Sequence, residues 1–140
     1  MTPYLHKVNY YETDKMGITH HSNYIRFMEE ARVDFLSQIG FPFDKIEEKG
    51  IVSPVIRVEY NYRKTTTFAD TISIVVKVEK LSPVKLTLAY ELSCNGENCG
   101  TGKSEHCFLN MEGRPIIVEK DHPGLYEALK NNQEKKARIR

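Results

Sequence analysis

Apolar and polar residues alternate with a period of two along much of the chain, and this alternation predicts β-strands. A run of strands is expected from the middle of the chain onward, at residues 54–62, 71–79, 85–94 and about 99–110. A short strand is expected earlier, at 5–11, and 116–118 is a candidate to extend the sheet. Leu81-Ser82-Pro83 and Asn95-Gly96 fall between neighbouring strands as hairpin signals, so the pairing is predicted to be antiparallel.

One long segment, residues 23–39, has the apolar spacing of an α-helix, and the predicted helix ends at Gly40. Ser22 or Asn23 can cap this helix with a side-chain oxygen. Its polar residues occupy one narrow stripe, which predicts a helix that is mostly buried. A short helix is expected over 123–130, and the highly charged tail 131–140 is expected to be disordered.

Together these elements predict an α+β fold with one long central helix and an antiparallel sheet of about five strands. A chain of 140 residues forms one domain, which is expected to span 1–130. The outer face and the edges of such a sheet stay exposed, so self-association into a homodimer or homotetramer is expected.

Charge and composition exclude several classes of protein. The formal net charge is +1, which argues against binding to nucleic acid or to a membrane surface. No run approaches 18 apolar residues, and the polar N-terminus lacks a secretory signal, so a cytoplasmic protein is expected.

The three cysteines do not form a disulfide framework. Cys94 and Cys99 flank a predicted turn and are expected to be reduced thiols on facing strands. No further ligands at suitable spacing indicate a zinc site. Cys107 has no nearby acid–base partner that would indicate a nucleophile.

The segment that indicates chemistry runs from Asp14 through Gly17 to His21, where a strand ends, the chain turns and the long helix begins. A carboxylate is thereby placed close to the free backbone N–H groups of a helix start. Such a carboxylate can attack a carbonyl carbon, or activate water against it, while the amides hold the carbonyl oxygen. The alternative interpretation is that Asp14 only accepts hydrogen bonds from turn amides.

The same segment resembles the 4-hydroxybenzoyl-CoA thioesterase-type family of hot-dog proteins. Residues 10–17 match the pattern Tyr-x-x-Thr-Asp-x-x-Gly, residues 21–24 match His-x-Asn-Tyr, and residues 27–32 match Phe-x-Glu-x-Ala-Arg. The resemblance continues more weakly to about residue 118. It implies the hot-dog fold, in which a sheet curls around a central helix, and dimers or dimers of dimers with active sites at subunit junctions.

The resemblance also implies roles for individual residues. Asp14 corresponds to the catalytic carboxylate, and the backbone N–H of His21 to the donor that holds the thioester oxygen. The His21 side chain could assist proton transfer or only bond the backbone, and Gly17 allows a ligand to approach closely. His20 stands where many relatives carry an aromatic residue and could line the acyl pocket, and Tyr24 is expected in the core or the pocket wall.

Two further pairs are assigned more weakly. Glu29 and Arg32 match the family motif and are expected to form an ion pair on the helix. Arg63 and Lys64 could contact the phosphates of coenzyme A, although a basic pair at a strand end is slightly more often just solvated. Relatives often carry Pro-Ala where Thr65-Thr66 stand in this chain.

The sequence therefore predicts an acyl-CoA thioesterase that needs no metal and no cofactor, because coenzyme A is part of the substrate. An acyl-ACP thioesterase acting on an acyl carrier protein is one alternative, and a non-catalytic hot-dog module that binds thioesters or a protein partner is another. The sequence leaves open which acyl group is hydrolysed and whether the protein is a dimer or a tetramer. It also leaves open whether the chemistry is covalent or general-base.

Overall fold

A computed structural model describes residues 1–133. This part of the chain forms five strands and four helices. The strands are β1 (Tyr4–Lys7), β2 (Val55–Tyr62), β3 (Thr71–Leu81), β4 (Lys85–Cys94) and β5 (Glu97–Cys107). The helices are α1 (Asn23–Gln38), α2 (Phe43–Glu48), α3 (Val118–Asp121) and α4 (Pro123–Asn131).

All five strands form one antiparallel sheet in the order β1-β3-β4-β5-β2. The α+β class and the antiparallel sheet predicted from the sequence are confirmed. The turn between β4 and β5 places Asn95 and Gly96 at φ +52° and +78°, which is the left-handed backbone expected of an Asn-Gly hairpin. β2 lies beside β5, at the edge of the sheet, and not beside the strand that follows it in the chain.

Helix α1 packs across the sheet and supplies much of the core. Its buried face includes Phe27, Met28 and Ala31, each at most 2% exposed. Met28 reaches β5 at Gly102, where an added Cβ would lie 2.6 Å from the methionine sulfur. The absence of a side chain at this position lets the helix approach the strand closely, and this approach fixes the start of α1 relative to the sheet.

Two segments differ from the prediction because side chains redirect the backbone. The first strand ends at Lys7, and Tyr10–Glu12 form a 3₁₀ turn instead of continuing it. The buried Glu12 carboxylate accepts a hydrogen bond from the backbone N–H of Asn9 at 2.7 Å, which closes this turn. The second segment, 116–118, does not extend the sheet as a strand, since Val118 begins α3 and Pro115 forms only an isolated bridge with Leu109.

Helix α2 was not predicted, whereas α4 was predicted and is confirmed to within a residue. The start of the predicted disordered tail is ordered, because Asn131 ends α4 and Gln133 forms a bridge with Val78. The remainder of that tail, 134–140, lies outside the described residues. Among the described helices, none has the length and apolar character needed to cross a membrane.

Candidate active site

Asp14 lies at the base of a tight hairpin. Thr13 and Thr19 pair across it, the backbone N–H of Asp14 donates to the carbonyl of Ile18 at 2.8 Å, and that of Gly17 donates to the carbonyl of Asp14 at 3.0 Å. Gly17 has φ +81°, a conformation that glycine adopts without strain. The predicted glycine turn is therefore what returns the chain from Asp14 towards the helix.

The Asp14 carboxylate is half-buried and only partly engaged. Its Oδ1 accepts a hydrogen bond from the backbone N–H of Met16 at 2.8 Å, as expected of a turn aspartate. Its Oδ2 has no hydrogen-bond partner within residues 1–133. The carboxylate is thus oriented by the turn through one oxygen while the other remains available to a substrate or a water molecule.

A buried cluster of hydroxyl groups anchors this hairpin to the segment before β3. Thr19 Oγ1 lies 2.6 Å from Thr66 Oγ1, which lies 2.9 Å from the Tyr24 hydroxyl. Thr67 adds a hydrogen bond from its hydroxyl to the carbonyl of Gly17 at 2.7 Å. Tyr24 is only 3% exposed and stacks on Tyr60, so it lies in the core behind the hairpin.

The start of α1 lacks the expected side-chain cap. Ser22 occupies the N-cap position, but its hydroxyl lies 2.8 Å from Nδ1 of His20 and makes no capping hydrogen bond. The Asn23 side chain instead donates to the carbonyl of Glu12 at 2.9 Å, and the backbone N–H of His20 donates to the same carbonyl. The backbone N–H of Asn23 donates to the carbonyl of His20 at 3.0 Å, and no side chain caps the N–H groups that follow it in the first turn.

His21 stands at this uncapped start and is exposed. Its carbonyl accepts a hydrogen bond from the hydroxyl of Tyr62 at 2.9 Å, and its ring stacks on His20 with centroids 4.2 Å apart. Its backbone N–H has no acceptor in the part of the chain that the structure describes. The contact from Tyr62 fixes the peptide group that follows His21, and the N–H in the preceding peptide group is free for an anionic oxygen.

Behind the hairpin, Glu12 is held by contacts in a cluster with His6 and Glu30 that the sequence did not indicate. Its carboxylate lies 2.8 Å from His6 Nε2, and His6 Nδ1 lies 3.2 Å from Glu30. The backbone carbonyl of Glu12 also accepts the hydrogen bonds from His20 and Asn23, so the cluster fixes the carbonyl that positions the helix start.

Arg63 and Lys64 follow the end of β2 and are exposed. Both backbone N–H groups donate to the carbonyl of Cys99. The Lys64 ammonium pairs with Glu97, whereas Arg63 has no ion pair within residues 1–133. Burial raises the pKa of the Cys99 thiol to about 11, and the described cysteines are all free thiols, as predicted.

A cavity of about 180 Å³ lies between α1 and strands β2, β4 and β5, and its polar residues were also missed by the sequence analysis. His106 is fully buried there, with Nε2 at 2.7 Å from Ser104 Oγ, which in turn lies 2.6 Å from the Tyr90 hydroxyl. Burial and the nearby Arg32 cation lower the pKa of His106 to about 3. The available signal was the alternation in β5, which puts Gly100, Gly102, Ser104 and His106 on the face towards α1 where apolar residues would be usual.

Arg32 itself is only 5% exposed, which the sequence did not indicate. Its guanidinium lies 5.3 Å from the centre of the Phe43 ring and 3.9 Å from the exposed carboxylate of Glu29, so the predicted ion pair is present but long. No group of three metal-binding side chains that could hold an ion occurs among residues 1–133.

Comparison with known proteins identifies the family to which this arrangement belongs. The model of the thioesterase-like superfamily matches residues 8–139. The chain belongs to this superfamily. The predicted hot-dog fold and the predicted class of thioester hydrolase are thereby confirmed.

Three relatives of this thioesterase illustrate the extent of the likeness. A DHNA-CoA thioesterase from Staphylococcus aureus has a solved structure with a TM-score of 0.89, 32% identity, and coverage of 93% of this chain and 89% of that one. YneP of Bacillus subtilis is 31% identical, over 87% of this chain and 90% of its own. A 1,4-dihydroxy-2-naphthoyl-CoA hydrolase of Prochlorococcus marinus is 30% identical, over 81% of this chain and 78% of its own.

Proposed function

We propose that this thioesterase hydrolyses acyl-CoA thioesters, with Asp14 as the catalytic carboxylate and the His21 backbone N–H as a donor to the thioester oxygen. One observation carries this assignment: a single hairpin joins a carboxylate with a free oxygen to an uncapped helix start whose His21 amide has no acceptor in the described part of the chain. A thioester needs both groups, since its carbon must be attacked while its oxygen gains negative charge.

The reaction follows from these positions. The Asp14 carboxylate attacks the carbonyl carbon, or takes a proton from a water molecule that attacks it. Charge that develops on the oxygen is held by the His21 amide and the positive end of α1. The C–S bond then breaks, coenzyme A leaves as its thiolate, and the acid is released directly or by hydrolysis of the acyl-aspartate. This proposal assigns no step to a metal or a redox cofactor.

Coenzyme A is favoured as the carrier because all three relatives above are named for CoA thioesters, YneP being named an acyl-CoA thioesterase. The exposed Arg63 guanidinium, at the end of the strand whose Tyr62 contacts His21, is suitably placed for a phosphate of the carrier. Lys64 is a weaker candidate because Glu97 already neutralises it. Faster hydrolysis of an acyl-ACP than of the acyl-CoA with the same acyl group would favour the acyl-ACP alternative.

We also propose that the protein forms a homodimer through β2. This strand lies at the edge of the sheet and exposes Val55, Ile56 and Val58, each at 40–48%. An apolar edge strand of eight residues offers unpaired backbone groups and apolar surface to a second copy. Light scattering should give a mass of twice the 16.2 kDa chain, and Val58→Lys should shift it towards the monomer. A native monomer at micromolar concentration contradicts this proposal.

The catalytic assignment is tested by thiol release from short, long and aromatic acyl-CoAs. Asp14→Asn should lower kcat/KM by about a hundredfold or more, because the amide cannot act as nucleophile or base. Asp44→Asn is the matched control, since it makes the same chemical change on the exposed face of α2 and should behave as the native chain. Equal rates for native and Asp14→Asn chains would refute the role of Asp14, and binding without turnover by the native chain would favour the non-catalytic module.

A further inference from the structure

His6 is buried where the sheet, the hairpin of Asp14 and helix α1 meet. It belongs to β1, pairs with Ile72 of β3, and is only 8% exposed. Its ring lies against the fully buried ring of Phe27 in α1, with the two centroids 4.1 Å apart. Because the strand holds its backbone and the helix holds its ring, the directions of both ring nitrogens are fixed.

The two ring nitrogens of His6 face two different carboxylates. Nε2 lies 2.8 Å from Glu12 Oε1, and Nδ1 lies 3.2 Å from Glu30 Oε2. An imidazolium ring can donate to both carboxylates, whereas a neutral ring has a single N–H group. A neutral ring keeps that proton on Nε2, because the Glu12 carboxylate is the closer one and is buried, while water can solvate the exposed carboxylate of Glu30. The hydrogen bond to Glu12 is therefore present in both forms of the ring.

Glu12 depends on this hydrogen bond because its other donors belong to its own turn. The backbone N–H of Asn9 donates to Glu12 Oε1 at 2.7 Å, and the Asn9 side-chain amide donates to the same oxygen at 3.2 Å. These bonds close the 3₁₀ turn without attaching it to the sheet, since Asn9 is the cap of that turn. Among the described donors to this carboxylate, only His6 comes from a strand.

The backbone carbonyl of Glu12 holds the residues on both sides of His21. It accepts hydrogen bonds from the N–H of His20 at 2.8 Å and from the side chain of Asn23 at 2.9 Å. The peptide group that contains the His21 N–H has its carbonyl on His20, and that carbonyl accepts a hydrogen bond from the backbone N–H of Asn23. Since Asp14 follows Glu12 closely in the chain, one anchor serves both the proposed carboxylate and the proposed amide donor.

We propose that His6 is a positioning residue for the hydrolysis: through Nε2 it attaches Glu12 to the sheet, and it thereby fixes Asp14 relative to the His21 N–H. This inference rests on the proposed function, since it concerns the geometry of the same two groups. His6 acts through Glu12 and does not contact the substrate. A displacement of about 1 Å at the reacting groups can cost roughly a hundredfold in rate, so a contact behind the hairpin is able to control kcat.

The contacts of the two nitrogens can be separated by substitution. The amide nitrogen of glutamine is separated from Cα by the same number of bonds as Nε2 of histidine, and that of asparagine by the same number as Nδ1. His6→Gln can therefore keep the hydrogen bond to Glu12, whereas His6→Asn can reach only Glu30. His6→Asn should lower kcat by about tenfold or more while KM stays within about threefold, and His6→Gln should keep both within about threefold of the native values.

Gln38→Ala is the matched control, because it removes hydrogen bonds of 2.9 Å and 3.1 Å that attach Thr2 to the same helix far from Glu12. It should keep the native kcat, and urea unfolding measures the stability of every variant. Equal values of kcat in His6→Gln and His6→Asn overturn the proposal, whether both are native or both are lowered. If His6→Asn does not fold, Glu12→Asp tests the same contact by withdrawing the carboxylate from Nε2, and a native kcat in that variant overturns the proposal.

Amide hydrogen exchange distinguishes failure of this inference from failure of the proposed function, because it needs no substrate. The N–H of His20 donates to the carbonyl of Glu12, so its exchange reports how firmly that carbonyl is held. Relative to Leu88 in the central strand β4, it should exchange about tenfold faster or more in His6→Asn than in His6→Gln. If this difference is found but no thioester is hydrolysed, His6 anchors the hairpin and the catalytic assignment fails. Equal exchange of His20 in the two variants overturns the positioning role whatever the activity.

Discussion

The substitution Gly100→Ala should destabilise the fold through one crowded contact. Gly100 lies in β5 opposite Tyr62 in β2, and an added Cβ would overlap the hydroxyl end of the Tyr60 ring and lie 2.8 Å from the backbone oxygen of Asn61. The ring can only swing away by leaving its stack on Tyr24, where the centroids are 5.1 Å apart. The oxygen can only retreat by moving β2 away from β5.

The magnitude follows from these two movements. Overpacking of a close-packed core costs about 1–3 kcal/mol, and loss of an aromatic pair costs about 0.5–1.5 kcal/mol. Gly100→Ala should therefore lower the free energy of unfolding by about 1.5–4.5 kcal/mol. A domain of this size loses roughly 4 °C in Tm for each kcal/mol, so Tm should fall by roughly 6–18 °C.

The assay is urea unfolding at fixed protein concentration, with Gly124→Ala as the matched control. Gly124 lies in the first turn of α4, where an added Cβ would meet Phe41 at 3.6 Å, an ordinary contact. Because alanine favours helix over glycine by about 1 kcal/mol in a helix interior, Gly124→Ala should be neutral or stabilising. Gly100→Ala with native stability would show that β5 and Tyr60 adjust freely, and the reasoning about close packing would be wrong.

Two further predictions concern His21 and His106. His21→Pro removes the proposed oxyanion donor and should lower kcat by about 10²–10³, whereas His21→Ala keeps the backbone N–H and should lose less; equal losses would contradict the role of the amide. The second prediction concerns pH. The native state keeps His106 neutral down to about pH 3, while the unfolded chain protonates this residue below about 6.5, so the unfolded state binds more protons between these values. The free energy of unfolding should therefore fall as pH is lowered from about 6.5 towards 3, by up to about 1.4 kcal/mol per pH unit from this group. Urea midpoints should show a weaker dependence in His106→Leu than in the native chain or in His122→Gln, and equal slopes would refute the assignment.

The main elements were predictable because each follows a strong local period. Helix α1 and strands β3 and β4 carry apolar residues at the spacing of their own geometry, and the packing of the fold uses the same faces. The early segment was not predictable in this way, since residues 8–11 alternate like a strand. There the buried Glu12 side chain closes a turn, and it does so because His6 brings a partner from β1.

The residues around the candidate site likewise include some that were predictable from the sequence and some that were not. The segment from Asp14 to His21 carries its signal in adjacent residues, so its glycine turn and helix start could be predicted from the sequence. The roles of Asp14 and His21 themselves stay predictions. The hydrogen-bonded series at His106 depends on strand register and on the packing of α1, and neither is encoded in local spacing. Its one local trace, small and polar residues on the inner face of β5, is visible only once that face is known to meet α1.

The start of α1 also differs from the prediction, since the expected side-chain cap is missing, and this difference bears on the proposed function. Replacing a capping side chain usually costs a helix about 1 kcal/mol, and Ser22, whose backbone is already in the α-helical region, makes no cap. Its hydroxyl contacts His20 instead, and Asn23 contacts the carbonyl of Glu12, so the helix start is held from the side and not from its end. The backbone N–H groups of Ser22 and Asn23 donate to His20, and the N–H of His21 is left without an acceptor among the described residues. A helix start built only for stability would use the cap, whereas one that must receive a developing oxyanion needs its donors fixed and free.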